Sequence, residues 1–211
     1  MAKPRFAHVF ERDDDDWYVE EKWCSDRLFE EERFGGTILD PCCGAGRILY
    51  AARTNGLRAI GSDIVDRRAH AAQLGLHDLW KTMPRDNFRL FDFLAPQPEE
   101  TLEWCRQATS IVTNPPFSKI KKMAKMALAM NGIAKIALLV PLRRLPAATW
   151  LEAMPLARVW LLTPRPSMPT GEHILAGGRV GGGTQDFCWL VFRRGCDQKL
   201  PLINWLHRDP K

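Results

Sequence analysis

The chain has 211 residues, of which 45% are hydrophobic, enough for one well-packed domain and too few for two large ones. Six cysteines without a CxxC pair or a His/Cys metal spacing exclude a disulfide framework and a zinc site, and point to reduced thiols in a cytoplasmic setting with no metal. No apolar run reaches membrane-spanning length, residues 1–10 lack a signal-peptide core, and a net charge of +5 suits a polyanionic partner without requiring one.

The acidic run Asp13 to Asp16 is expected to be a solvated surface. Thr37 to Asp40 predicts a first strand, closed by Pro41 and the turn Cys42-Cys43-Gly44-Ala45-Gly46. A helix is expected over Arg47 to Thr54, stopped by Asn55-Gly56. Arg58 to Asp63 predicts a second strand and Asp66 to Leu74 a second helix. Phe88 to Phe91 and Ser110 to Thr113 follow as strands, Lys119 to Met130 as a helix, and Ile133 to Val140 as a fifth strand. Arg158 to Thr163 and Phe187 to Arg193 complete seven strands. Between them, residues 164–184 are rich in Pro and Gly and show no period, which marks a flexible loop with a functional or disordered character. Alternating strands and helices of this kind predict an α/β fold with a mostly parallel sheet covered on both faces, in one domain over 1–211.

Two stretches carry chemistry. In Asp40-Pro41-Cys42-Cys43-Gly44-Ala45-Gly46-Arg47 the glycines permit a sharp turn and close approach of backbone to a ligand, at the carboxyl end of a strand where open parallel sheets bind cofactors. Asp63, followed by Ile64, ends the second strand about twenty residues on, where a carboxylate can accept the hydroxyls of a ribose. The Gly-x-Gly-x-x-Gly spacing of dinucleotide sites fails, because Leu49 stands at its third position. Asp40 is a poor neighbour for a pyrophosphate and a good one for a methionine ammonium, which favours S-adenosyl-L-methionine. A thiol beside a helix N-terminus can also be acidic, so a nucleophilic Cys42 or Cys43 is a competing expectation, although no histidine lies near in sequence to act as base.

The second stretch is Thr113-Asn114-Pro115-Pro116-Phe117. Two prolines fix two φ angles and remove two donors, leaving neighbouring carbonyls free and rigidly aimed. The Asn114 oxygen and the Pro115 carbonyl can together accept from one NH2 group, and Phe117 offers a flat face to an aromatic ring.

Asp-Pro-x-x-Gly-x-Gly followed by Asn-Pro-Pro-Phe closely resembles the class I S-adenosylmethionine-dependent amino-methyltransferases, and within them the N6-adenine methyltransferases of DNA and RNA. The resemblance spans roughly Asp40 to Arg193 and is specific in the two motifs. It implies a Rossmann-like, seven-stranded sheet whose last strand is antiparallel. It also implies that Asp40, Pro41, Cys42, Gly44 and Gly46 hold the methionine end of the cofactor, that Asp63 and Ile64 hold its ribose, and that Asp92 and Phe93 meet its adenine. Asn114, Pro115, Pro116 and Phe117 would receive the target amine. Residues 1–36 would cover the cofactor, with Trp17, Tyr18 and Trp23 closing over it; packing of those aromatics on the sheet edge is the equal alternative. Lys119, Lys121 and Lys122, with Arg165, His173 and Arg179 of the 164–184 loop, are expected either to clasp a phosphate backbone or to be plain solvated surface. The implied function is N6-adenine methylation of nucleic acid, DNA ahead of RNA. Alternatives are a ribosomal guanine amine, a protein glutamine amide, or a non-catalytic nucleic-acid-binding subunit that kept the fold.

Overall fold

A computed structural model describes residues 17–196 and 200–209; the acidic run at 13–16 and the remainder of 1–16 lie outside the described residues. The elements run α1 (Lys22–Glu31), β1 (Thr37–Asp40), α2 (Arg47–Thr54), β2 (Arg58–Asp63), α3 (Leu79–Thr82), β3 (Phe88–Leu90), α4 (Glu99–Cys105) and β4 (Ser110–Thr113). They continue with α5 (Ile120–Ala129), β5 (Lys135–Pro141), β6 (Leu156–Thr163), α6 (Gly171–Leu175), β7 (Phe187–Arg193) and β8 (Leu202–His207).

One sheet holds all the strands in the order β3-β2-β1-β4-β5-β7-β6-β8. The strands β3, β2, β1, β4 and β5 are parallel neighbours, and β7 is antiparallel to both β5 and β6. The predicted seventh strand is therefore the antiparallel one. An eighth, β8, was not expected; it adds parallel to β6 and ends the sheet, with Leu202, Ile203 and Trp205 exposed along it.

Strand alternation sends neighbouring side chains to opposite faces, and two apolar clusters result. Ile38, Val112 and Ala137 pack with α1 and α2 on one face, and Leu39, Ile111 and Leu138 with α4 and α5 on the other. Near-continuous burial along β1, β4 and β5 is what a sheet covered on both faces requires. Among the described residues, no helix is long and apolar enough to cross a membrane.

The helix expected over Asp66 to Leu74 is absent. Only a 3-10 turn forms, at Arg68–His70. The Asp66 carboxylate explains this: it accepts from the Arg68 amide at 3.1 Å and from its guanidinium at 2.6 Å, rewarding a local turn over a helical ladder. The 164–184 loop is also not structureless. It contains α6, whose Thr170 hydroxyl accepts from the His173 amide as an N-cap, and Thr170 bridges antiparallel to Tyr18.

Helix α1 is pinned to the sheet by polar contacts as well as by Leu28 and Phe29. The Trp189 indole, fully buried, donates to the Cys24 carbonyl at 3.0 Å, and the Arg27 guanidinium to the His207 carbonyl at 3.0 Å. Glu32, just past the helix, is 7% exposed and accepts from Lys135 at 2.8 Å and the Trp160 indole at 3.0 Å, with Arg158 at 3.3 Å. Removing one partner from such a buried cluster strands the others. Glu32→Ala is expected to cost about 3 kcal/mol, read as a lowered urea midpoint at unchanged m. A loss below about 0.5 kcal/mol, the ordinary surface range, would show that the cluster does not hold α1.

Candidate active site

The carboxyl ends of β1, β2 and β4 open on one cavity of about 260 Å3. Each strand contributes the residue at its tip. Asp40, 1% exposed, ends β1 and accepts the Cys42 amide at 3.1 Å. The following turn closes when the Gly46 amide donates to the Cys43 carbonyl at 2.7 Å. Gly44 has φ 51°, a conformation that a side chain disfavours, and a Cβ there would lie 2.8 Å from the Trp17 indole nitrogen. Glycine is required twice over at this position.

The Gly44 amide donates to Asp63 at the tip of β2, at 2.7 Å. Asp63 accepts in addition from the Val65 amide at 3.1 Å and from the buried Arg67 guanidinium at 3.0 Å. Arg67 in turn lies 4.7 Å from the Trp17 ring centroid, a cation–π contact. Beside Trp17, Gly171 of α6 is so close that a Cβ would collide with the indole at 2.2 Å. Loop, strand tip, N-terminal segment and α6 therefore meet at one tryptophan.

Other wall residues differ in character. Ile64 is 52% exposed, Asp92 is exposed and accepts the Leu94 amide at 2.8 Å, and Phe93 is buried. Asn114, half-buried at the tip of β4, donates from Nδ2 to the Tyr18 carbonyl at 3.0 Å and to Glu20 at 3.1 Å. Pro116, Lys119 and Lys122 also line the cavity.

The expected groups are not all brought together. Pro115 and Phe117 are off the cavity wall: the Phe117 ring stacks on Tyr18, with centroids 5.3 Å apart and planes at 12°, and its other neighbour is Phe187 at 5.8 Å. Trp23 packs against the core and donates to Glu21 at 2.6 Å, so it does not close over the cavity. Arg165 forms a two-pronged ion pair with Asp186, at 2.7 and 3.2 Å, and is not a free cation. His173 contacts the Arg179 carbonyl at 3.2 Å, Arg179 is exposed, and neither reaches the cavity.

Burial governs the electrostatics. Desolvation pushes the carboxyls of Asp40 and Glu20 up, Asp40 well above the usual range, and also raises Asp63 against the lowering pull of the Gly44 and Val65 amides and Arg67. Burial, with the charges of Asp40 and Asp63, drives the Cys42 and Cys43 thiols well above their ordinary value. That is the opposite of the lowered value expected of an activated thiolate. Among the described residues, no group of three His, Cys, Asp or Glu side chains is placed to hold a metal.

Two cavity residues, Glu20 and Arg47, were given no site role from the sequence. Glu20 is 4% exposed and reaches the wall from the segment before α1. Arg47 opens α2 beside it, and its Nε is buried with no hydrogen-bond partner. An orphaned buried donor facing a cavity is what a site for an anionic group leaves when only the protein is present. Arg47 follows the glycine turn directly and was legible as a cation there; Glu20 carried no signal, because its partner Asn114 is 94 positions away.

No protein-family model and no curated protein matches the chain. Solved structures do. A predicted O-methyltransferase from Agrobacterium tumefaciens superposes with a TM-score of 0.54 at 12% identity, over 91% of this chain and 86% of that one. A proposed RNA methyltransferase from Pyrococcus horikoshii gives 0.52 at 13% identity, over 82% and 80%. The modification subunit of a proposed type I restriction enzyme from Vibrio vulnificus gives 0.50 at 14% identity, over 90% of this chain and 46% of that one. What is shared at these identities is architecture: the chain has the Rossmann-like methyltransferase fold.

The raised carboxyls set a sign that can be checked. A folded-state pKa above the unfolded value means that the folded protein holds the proton more tightly. Stability from that source is present in acid and is lost as pH rises through the raised folded value. Asp40→Asn keeps an acceptor for the Cys42 amide and removes the titration. Its stability relative to wild type should therefore rise from acid to neutral pH in urea unfolding; two parallel pH curves would contradict the burial assignment.

Proposed function

We propose that the chain is an S-adenosylmethionine-dependent methyltransferase acting on an exocyclic amine, with adenine N6 in nucleic acid as the target and DNA favoured over RNA. The observation that carries this reading is the convergence of Asn114 with Asp40, Asp63 and the Gly44 turn on one cavity, in a fold shared with methyltransferases.

The residues fit the cofactor. Asp40 offers a carboxylate to an ammonium, and the orphaned Nε of Arg47 offers a donor to the neighbouring carboxylate of an amino acid. Asp63 keeps acceptor capacity beyond its three partners for a ribose hydroxyl. Bound there, S-adenosylmethionine supplies an electrophilic sulfonium methyl group.

The chain's part is to prepare the nitrogen. Adenine N6 is a poor nucleophile because its lone pair is delocalised into the ring. Acceptance of one of its hydrogens by Asn114 Oδ1 favours a more tetrahedral, more nucleophilic nitrogen, and fixed placement lowers much of the remaining barrier. The proton shed on transfer passes to solvent. A target ring stacking on Phe117 takes the face that Tyr18 covers, so Tyr18 yields it on binding. In a duplex the base must first be flipped out, at about a few kcal/mol.

Support for a nucleic-acid substrate comes from the rim. Lys119, Lys121 and Lys122 at the start of α5, and Arg143 and Arg144 just past β5, are exposed and pair with no carboxylate among the described residues. Strand β5 runs parallel beside β4, so both groups follow strand ends on the sheet edge that bears Asn114. The Pyrococcus horikoshii and Vibrio vulnificus proteins, whose descriptions name RNA methylation and restriction modification, support the same class.

Incubation with methyl-labelled S-adenosylmethionine and separate DNA, RNA and protein substrates, with nucleosides resolved by mass spectrometry, tests this reading. N6-methyladenine is expected, in DNA before RNA, at a rate at least about a hundredfold lower in Asn114→Ala, in the range for loss of a preorganised polar contact. Label in guanine or in protein glutamine would move the target, and no label at all would sink the enzyme reading. Phosphate contact has its own signature: the Arg143→Ala/Arg144→Ala double variant should flatten the log–log salt slope of DNA binding by about two. An unchanged slope would take those arginines off the interface.

A further inference from the structure

A primary amide has two ends of similar size and opposite polarity, and its partners decide which end faces where. Asn114 Nδ2 faces acceptors: the Tyr18 main-chain carbonyl at 3.0 Å, a Glu20 carboxylate oxygen at 3.1 Å and, more distantly, the Met168 sulfur at 4.0 Å. Turning the amide over would set Oδ1 against both oxygens, losing two hydrogen bonds and creating two oxygen–oxygen repulsions where water has little access. The carboxylate is itself held in place. Glu20 is 4% exposed, and its other oxygen accepts the hydroxyl of the fully buried Ser25, in the first turn of α1, at 3.2 Å. Backbone pairing brackets the Tyr18 carbonyl: the Val19 amide donates to the Pro169 carbonyl and the Gly171 amide to the Trp17 carbonyl, both at 2.9 Å, which holds the second acceptor in place.

We propose that Glu20 is a positioning residue: by accepting from Asn114 Nδ2 it fixes the amide so that Oδ1, the acceptor end, is the one presented to the target amine. This rests on the reading of Asn114 as the amine receptor. It makes the segment before α1 a working part of the transfer site and not only a cover over it. Without Glu20 only the Tyr18 carbonyl and the more distant Met168 sulfur orient the amide, and the flipped form, which offers an N–H to an N–H, becomes populated. Glu20 also lines the cavity, where direct contact with the cofactor ammonium is a different role with a different kinetic signature.

The test uses the whole protein with 15N-labelled asparagine. Only Asn55, Asn87, Asn114, Asn131 and Asn204 contribute signals, and Asn114→Ala assigns the one of interest. In wild type the Asn114 side-chain protons should exchange slowly with water. In Glu20→Ala that protection should fall at least tenfold, and in Glu20→Gln, which keeps an acceptor oxygen, it should stay within about threefold of wild type. Methyl transfer should follow the same order: kcat down ten- to a hundredfold in Glu20→Ala, near wild type in Glu20→Gln, with the Kd for S-adenosylmethionine within twofold in both. If Glu20→Ala does not fold, Glu20→Met keeps the volume, removes both oxygens and carries the same expectation. Unchanged Asn114 protection in the variant lacking the carboxylate overturns the proposal. So does a Kd that rises in step with the loss of kcat, since Glu20 would then be a cofactor ligand. The exchange measurement stands even if no substrate is methylated, a result that would sink the functional reading separately.

Discussion

The hydrogen bond from the Gly44 amide to Asp63, 2.7 Å long and buried, is the constraint on which the carboxyl edge of the sheet depends. It ties the turn after β1 to the tip of β2 and holds Gly44 in the left-handed conformation that bares its backbone. The same carboxylate anchors Arg67, and Arg67 supports the Trp17 ring against Gly44 and Gly171. One acid thereby sets the shape of the turn, the seat of the N-terminal segment and the approach of α6. A charge buried this way is tolerable only because every neighbour donates to it.

From that seat the chain runs back along the cavity and supplies the oxygens that Asn114 needs. The strand bearing Asn114 provides none of them. They come from Tyr18 and Glu20, in the segment that leads into α1, and that helix is anchored far away through Glu32, Cys24 and Arg27. The geometry around Asn114 is thus a tertiary property. Burial pushes the carboxyls of Asp40, Glu20 and Asp63 up, while Arg47 pulls Glu20 and Arg67 pulls Asp63 back down, beside the Asn114 amide of the cavity wall.

Much of this was legible in the residue order, and for local reasons. Apolar runs bounded by Asp40-Pro41, Asp63 and Asn114-Pro115 mark β1, β2 and β4 because the same residues that end a strand also carry its polar tip. Glycine at 44 and 46 announces a turn that backbone sterics confine to glycine. What escaped depends on partners distant in sequence or on competition between near-equal local states. Asp66 captured Arg68 and converted an expected helix into a turn. Arg165 was counted as a loose cation, but Asp186, 21 positions on, claims it. Phe117 was expected to present an open face; Tyr18, from the other end of the domain's chain path, lies on it. The strand β8 escaped because residues 202–205 along it are exposed, so it shows neither the continuous nor the alternating burial that identifies a strand.

The central claim is that the cavity between Asp40, Asp63 and Asn114 takes a nucleoside joined to an amino acid through sulfur and not a dinucleotide. Calorimetric titration of the protein with S-adenosylmethionine, and in parallel with NAD, tests it most directly. The account predicts saturable one-to-one binding of S-adenosylmethionine, weakened at least tenfold in Asp40→Ala, and no measurable heat with NAD. Binding of NAD, or indifference to both ligands in a folded protein, would contradict it.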